Sequence, residues 1–254
     1  MSKDITILKR DGSREQLDLE KMHKVVFYAC DDVAGVSASQ VELKSHLQFY
    51  NGIESANIQE TLIKAAADLI TEETPNYQWV AGRLINYHLR KIVYQSFEPP
   101  HLKDIARKNV DLGYYDKSFF SVYSKDEIDA LNNYIKHDRD ENITYVGMEQ
   151  FRGKYLVQNR VTGEIFETPQ VAYLMIAATL FAMYPNETRM IYVKEYYDAI
   201  SNFDISLPTP IMAGLRTPQR QFSSCVLIET DDSLDSINAT SSAIVKYVSQ
   251  KAGI

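Results

Sequence analysis

Cysteine is almost missing from this chain: Cys30 and Cys225 are the only two, 195 positions apart. With no CxxC pair there is no zinc ribbon and no disulfide framework, which fits a reducing, cytoplasmic setting. Long hydrophobic runs are missing too. The longest uncharged apolar stretch, Val171 to Met183, has 13 residues, too short to span a bilayer. The N-terminus, MSKDITILKRDG, is polar and carries no apolar signal-peptide region. There is no excess of positive charge. The net charge of −7 removes any global electrostatic case for nucleic acid or a membrane surface. No internal repeat or low-complexity segment stands out.

What is present describes an ordinary folded protein. At 254 residues, 45% hydrophobic and 24% charged, the chain suits one large or two small domains with a real core. The first 95 or so residues form a module. Ile5 to Leu17 reads as a hairpin closed by Asp11-Gly12, because Asp-Gly suits a two-residue turn. Asp18 caps a helix that turns Met22, Val25, Val26 and Ala29 inward. Cys30 ends that helix on an apolar face and reads as core. A second helix is expected from Ser37 to Tyr50. A third opens with Asn57-x-x-Glu60, a capping-box pattern, and a fourth runs from Tyr77 to Tyr94. Lys9 and Arg10 precede the turn, Lys21 lies in the first helix and Arg90-Lys91 in the fourth. Such residues are commonly a solvated surface. Separated cations converging on one hairpin would instead form a triphosphate site.

Residues 96–220 read as largely helical. Glu98-Pro99-Pro100 marks a linker. Helical patterning follows near 100–113 and 125–136, then the charged string HDRDEN, expected as a solvated connection. Tyr155 to Glu167 suggests a second hairpin turning at Thr162-Gly163. Thr168-Pro169 supplies N-cap and first residue of a helix that is apolar all round, and therefore buried. Tyr184-Pro185 stops it, and Asn186 caps the next helix.

The last segment begins ISLPTPIMAGLRTPQRQFSSCVLIE, residues 205–229. Prolines on both sides of Thr209 are expected to hold it in extended backbone. Gln221 to Glu229 reads as a strand, with Ser223, Cys225 and Leu227 on one face. A thiol beside two hydroxyls is a place for chemistry; a small buried Cys filling a core gap is the plainer alternative. Asp232 or Ser233 then caps a helix whose N-terminal amides form a generic anion site.

The strings SLPTPIMAG, RTPQRQFSSCV and DSLDSINATSSAIVKYVSQKAGI resemble the large (α) subunit of class Ia ribonucleotide reductase over tens of consecutive positions. The likeness continues through KRDGS, IKAAADLI, FEPP and GKYLVQNRVTGEI. It implies a mainly α chain with β-hairpins: an ATP-cone at 1–95, a helical domain at 96–220, and the first strand and helix of a ten-stranded α/β barrel at 221–254. The cone would hold ATP or dATP through Lys9, Arg10, Glu15, Gln16, Leu17, Asp18, Leu19, Glu20, Lys21, Ser55 and Lys91. Asp18, Ser55 and Gln59 depart from the familiar Asn, Thr and His of that pattern, and Asp18 bears on base discrimination. Thr209 and Ser224 match substrate positions and Cys225 one of two redox cysteines. Asp232, Ser233 and Leu234 match the site of a deoxynucleotide specificity effector.

The implied reaction reduces ribonucleoside diphosphates by a radical route, with electrons from thioredoxin or glutaredoxin. The diiron–tyrosyl radical sits in a separate small (β) subunit, and no metal is expected in this chain. The resemblance also implies a missing C-terminal portion of the large subunit, so the chain reads as a fragment of a larger enzyme or one product of a split gene. Neither nucleic acid nor membrane is an expected partner. A non-catalytic nucleotide-binding or assembly module is the alternative function. A cone joined to a DNA-binding zinc ribbon fails for want of CxxC pairs.

Overall fold

The computed structural model describes residues 5–9, 12–46, 48–250 and 252–254. In chain order the elements are β1 (Thr6–Leu8), β2 (Arg14–Gln16), α1 (Leu19–Cys30), α2 (Ala38–His46), β3 (Ile53–Glu54), α3 (Ser55–Ala67) and α4 (Tyr77–Tyr94). Then come α5 (Leu102–Asp111), α6 (Phe119–Val122), α7 (Lys125–Tyr134), a 3₁₀ stretch His137–Asn142 and α8 (Tyr145–Gln150). A π-helical stretch Phe151–Tyr155 leads to α9 (Pro169–Leu180), α10 (Asn186–Ser201), α11 (Thr209–Gly214) and α12 (Leu234–Ser249). The chain is thus mainly helical with one small sheet. Two compact units emerge: Met1–Glu98 with Asp138–Phe151, and Pro99–His137 with Arg152–Ile254.

In the first unit, β1 is the middle strand. It pairs antiparallel with β2 and parallel with β3. The hairpin differs from the two-residue turn expected. Thr6 faces Gln16 and Leu8 faces Arg14, and the Lys9 N–H donates to Ser13 O at 2.8 Å. That register leaves residues 10, 11 and 12 between Lys9 and Ser13. Gly12, at φ +82°, occupies the left-handed position that a three-residue loop requires. Arg10 and Asp11 lie outside the described residues.

Asp18 caps α1 as expected, its Oδ1 accepting the Lys21 N–H at 3.0 Å, and Met22, Val25, Val26 and Ala29 are buried. The second helix is shorter than its expected span. The third starts at Ser55, two residues before the Asn57 pattern, with Glu54 at the N-cap. The cause is the sheet: β3 delivers the chain directly into the helix, so Asn57 falls inside its first turn. Cys30 is half-buried rather than core.

α4 is the spine of this unit and packs on α1, α3 and α8. Its Val80, Ala81, Leu84, Ile85 and Leu89 are buried. Each fully buried aliphatic side chain contributes about 1.5–3 kcal/mol, which outweighs the ~1 kcal/mol that a mid-helix glycine costs. That glycine, Gly82, has a use: a Cβ there would stand 2.2 Å from the Ile143 carbonyl oxygen. The string HDRDEN is no solvated connection, since it forms the 3₁₀ turn and Asp140 is fully buried.

In the second unit α9 is buried along Pro169–Ala178, with Thr168 and Pro169 at N-cap and first position. It ends at Leu180, three residues before the apolar run does. α10 and α11 pack on it. Asn186 is the first residue of α10 and Pro185 its N-cap. A capping box opens α7, where Glu127 N–H donates to Ser124 Oγ at 3.3 Å and Ser124 N–H to Glu127 Oε2 at 2.8 Å. The expected hairpin at 155–167 reduces to one antiparallel bridge, Gln158 with Ile165, above a turn with Gly163 at φ +76°.

A charged group sits at the centre of this unit. Arg216 and Glu167 are fully buried and joined through Nε at 2.8 and 3.0 Å and through Nη2. Arg216 also donates to the Met212 and Tyr155 carbonyls at 2.6 and 3.0 Å. Glu167 accepts from the Val157 N–H at 2.6 Å and from the Tyr115 hydroxyl. Burial alone would lower the Arg216 pKa, but the facing carboxylate more than offsets it and the guanidinium stays charged.

Two expectations near the C-terminus are corrected. Thr209 is not extended: Pro208 is the N-cap, and Thr209 and Pro210 occupy the first turn of α11, where proline's missing N–H has no consequence. The segment 221–229 is not a strand. Only Cys225 pairs, in a parallel bridge with Gly253. A strand needs a ladder along its length, and among the described residues Gly253 is the one ladder partner this segment has. α12 is capped by Ser233, whose Oγ accepts the Ser236 N–H at 3.2 Å, and it buries none of its residues. Lys251, expected near its end, lies outside the described residues.

Two substitutions test this packing. Gly82→Ala should lower stability by about 1–3 kcal/mol, because a backbone carbonyl must move; thermal unfolding measures it. Arg216→Met strands the buried Glu167 carboxylate and should cost about 3–5 kcal/mol, with part of the loss recovered in Arg216→Met/Glu167→Gln.

Candidate nucleotide site

The first unit carries two adjoining clefts that share Lys9, Ser55, Gln59 and Tyr87. Their volumes are about 390 and 850 Å³. The smaller is apolar on one wall, with Ile7, Met22, Val25 and Ile58, and polar on the other, with Lys9, Glu15, Asp18 and Lys21. The larger is floored by the first turn of α3 and walled by one face of α4, including His88, Lys91 and Gln95.

The local structure explains the convergence. Lys9 directly follows β1 and Glu15 lies in β2, and Lys9 Nζ lies 2.8 Å from Glu15 Oε1. Lys21 is one turn into α1, its Nζ 3.5 Å from Asp18 Oδ2. The Lys21 N–H, and then the Lys21 charge, hold the Asp18 carboxyl below its ordinary pKa, so it is ionised at neutral pH. Lys91 Nζ lies 5.7 Å from the centre of the Tyr87 ring. Ser55 begins a helix of 13 residues whose N-cap side chain makes no capping hydrogen bond. The ammonium groups of Lys9, Lys21, Lys24 and Lys91 and a helix N-terminus together favour a polyanion, and the apolar side chains favour a flat ring. These residues therefore fit a nucleoside triphosphate.

Seven residues singled out from the sequence line these clefts: Lys9, Glu15, Leu17, Asp18, Lys21, Ser55 and Lys91. Gln16 does not, because alternation on β2 turns it away from Glu15 and Leu17. Leu19 and Glu20 line another hollow with His23, Glu42 and His46, which shares Met22 and Lys24 with the smaller cleft. Arg10 lies outside the described residues. Sequence reasoning missed Lys24, Tyr28, Tyr87, His88 and Gln95. Helical spacing could have found them: Tyr28 is two turns beyond Lys21, Tyr87 one turn before Lys91, and Gln95 one turn after it.

The C-terminal candidates are more open. Ser224 Oγ lies 3.8 Å from Cys225 Sγ, and Ser223 Oγ donates to the Cys225 carbonyl at 3.0 Å. Cys225 is exposed. Thr209 lies apart in α11, and no hydrogen bond joins it to Ser224 or Cys225 among the described residues. Asp232 and Leu234 flank the cap Ser233, with Leu234 81% exposed. Cys30 differs in kind: burial first, and then Glu42, push its thiol up to about 11, so it is protonated at neutral pH. Among the described residues no group of three or more His, Cys, Asp or Glu side chains could hold a metal, and no helix is long and apolar enough to cross a membrane.

Comparison with known proteins agrees with this geometry. Residues 5–92 match the ATP cone domain, and residues 141–220 match the ribonucleotide reductase all-alpha domain. The chain is 57% identical over all its 254 residues to ribonucleoside-diphosphate reductase subunit alpha of Haemophilus influenzae and covers 34% of that protein. It is also 57% identical to the Escherichia coli ribonucleoside-diphosphate reductase 1 subunit alpha, covering 33% of it. The corresponding subunit of Enterobacteria phage T4 is 44% identical over 252 residues. The chain spans about a third of the length of the curated relatives it matches. The chain thus carries an ATP cone followed by the ribonucleotide reductase all-alpha domain, and along its whole length it is similar to the N-terminal third of ribonucleoside-diphosphate reductase alpha subunits.

Proposed function

We propose that the twin cleft of the first unit is a regulatory site for ATP or dATP, and that the chain is the N-terminal part of an enzyme reducing ribonucleoside diphosphates to deoxyribonucleoside diphosphates. The observation that carries the first half is the meeting of Lys9, Lys21, Lys91 and the α3 N-terminus around two adjoining clefts. Lys9 and Lys91 take the phosphates, Ser55 and the α3 amides support them, and Asp18 and Glu15 face the sugar and base. Arg10, Gln16, Leu19 and Glu20 belong to the same binding segment.

The second half rests on the family. In this reading residues 1–95 are the cone, 96–220 the helical domain and 221–254 the opening segment of the catalytic barrel, with α12 as its helix. The bridge of Cys225 with Gly253 then marks where further strands add. Cys225 acts as a redox thiol: it gives a proton to the departing 2′-hydroxyl, which leaves as water. Two electrons come from its oxidation with a second cysteine to a disulfide, which thioredoxin or glutaredoxin reduces. An exposed thiol suits this exchange, whereas Cys30 is half-buried in the other unit and held protonated. Thr209 and Ser224 contact the substrate, and Asp232, Ser233 and Leu234 receive the deoxynucleotide that sets substrate choice. The remaining portion of the large subunit and the diiron–tyrosyl radical of a small subunit, which initiates the chemistry, complete the enzyme. The setting is the cytoplasm, where DNA precursors are made.

Calorimetry tests the first half. The 254-residue chain should bind ATP or dATP, and Lys9→Ala and Lys91→Ala should each weaken binding by roughly 1.5–3 kcal/mol. No binding at millimolar nucleotide would refute the site. For the second half, Cys225→Ser in an enzyme completed with the rest of the large subunit and the radical subunit should keep nucleotide binding but lose thioredoxin-coupled turnover. Cys30→Ser should leave turnover largely intact. Repeated cycles of deoxynucleotide formation by the Cys225 variant would exclude the redox role, and binding without any turnover in the unmodified reconstituted enzyme would favour a purely regulatory module.

A further inference from the structure

Tyr28 lines the smaller cleft, and its ring is held from outside it. The hydroxyl donates to Glu141 Oε1 at 2.5 Å. The ring edge meets Phe97 at 5.4 Å between centroids with an 83° interplanar angle, and Phe97 in turn carries the Arg90 guanidinium at 4.8 Å. Burial first, and then the Glu141 carboxylate, raise the phenol's pKa well above its ordinary value. The hydroxyl therefore stays a hydrogen-bond donor at any physiological pH.

Glu141 lies far along the chain, 113 positions from Tyr28. It belongs to the segment 138–151, which folds with the first unit although the cone match ends at residue 92. Other contacts also hold that segment, and α8 packs along α4. Arg83 bridges it to the end of α1, donating to the Glu141 carbonyl at 3.5 Å and the Asp31 carbonyl at 2.5 Å. Gly82 lets the Ile143 carbonyl approach α4 more closely than any side chain would allow. The contact through Tyr28 reaches the cleft.

We propose that Glu141 is a positioning residue for the nucleotide cleft: by holding the Tyr28 hydroxyl it fixes one wall of the cleft, and so links nucleotide occupancy to the docking of segment 138–151. The inference rests on reading the cleft as a nucleotide site. Linkage is reciprocal: if the docked segment tightens nucleotide binding, nucleotide tightens docking by the same factor. Both ends of the segment continue into the second unit.

The test uses the whole chain. ATP titrations compare the unmodified protein with Tyr28→Phe, Glu141→Ala, Glu141→Gln and the Tyr28→Phe/Glu141→Ala double variant. Amide exchange across 138–151 is followed with and without ATP. Tyr28→Phe and Glu141→Ala should weaken ATP about 5- to 20-fold, and the double variant no further, since both remove one shared contact. Glu141→Gln keeps an acceptor and should stay within about 2-fold. ATP should slow exchange in 138–151 in the unmodified chain and not in Tyr28→Phe, a readout that general loss of stability does not reproduce. Tyr28→Phe is nearly isosteric and decides the matter should Glu141→Ala fold poorly. Unchanged ATP affinity in Tyr28→Phe overturns the inference and leaves the nucleotide site standing. Failure of the unmodified chain to bind ATP overturns both.

Discussion

The first unit depends on β1 having hydrogen-bonding partners on both sides. An isolated hairpin of three-residue strands is marginal in water. The parallel pairing with β3 adds a third strand, and Ile7 and Ile53 face each other across it, 6% and 1% exposed. The same pairing is what makes a site. β3 runs without a break into α3, so the helix N-terminus opens beside Lys9. A positive dipole end, a hairpin lysine and the α4 lysine are thereby brought together from positions 55, 9 and 91.

The second unit is organised around the opposite kind of interaction, two charges taken wholly out of water. Glu167 and Arg216 have no exposed side-chain surface. Such a pair is tolerable only when its remaining donors and acceptors are satisfied, and here two carbonyls, one amide and the Tyr115 hydroxyl do so. The pair fixes α11 and the loop before α9 in one arrangement. A second polar clamp lies in the same unit: Arg189 meets Glu127 at 2.6 Å and stacks over Tyr123 at 4.5 Å. These buried ions give direction to a region whose central helix, apolar all round, has no preferred face of its own.

Much of the helical framework was legible from residue order alone. Asp18, Thr168-Pro169 and the periodicity of 77–94 act within one or two turns, and the structure holds α4 at the span that periodicity marks. Errors fell where a distant partner intervened. β3 pre-empted the Asn57 capping pattern. Asp140 became buried because α4, through Gly82, accepts the segment that holds it. The segment 221–229 has strand-like alternation, yet alternation makes a strand only where neighbouring strands supply a ladder, and here one bridge does. In the site, the lysines, Asp18 and Ser55 were found through their resemblance to a known module. The ring wall was not, since Tyr28 and Tyr87 look like ordinary half-core aromatics until their neighbours are known.

The sequence by itself determined the likeness to a known family, the longer helices, the caps at Asp18 and Thr168-Pro169 and the absence of any cysteine framework, because each of these is written in adjacent residues or in continuous likeness. Only the tertiary structure decided which residues share a cleft. It set the three-residue hairpin loop through strand register, joined Arg216 to Glu167 across 49 positions, and laid Glu141 against Tyr28 across 113. Contacts of that sequence separation are selected by the packing of whole helices and strands against one another, and no local pattern of residues encodes them.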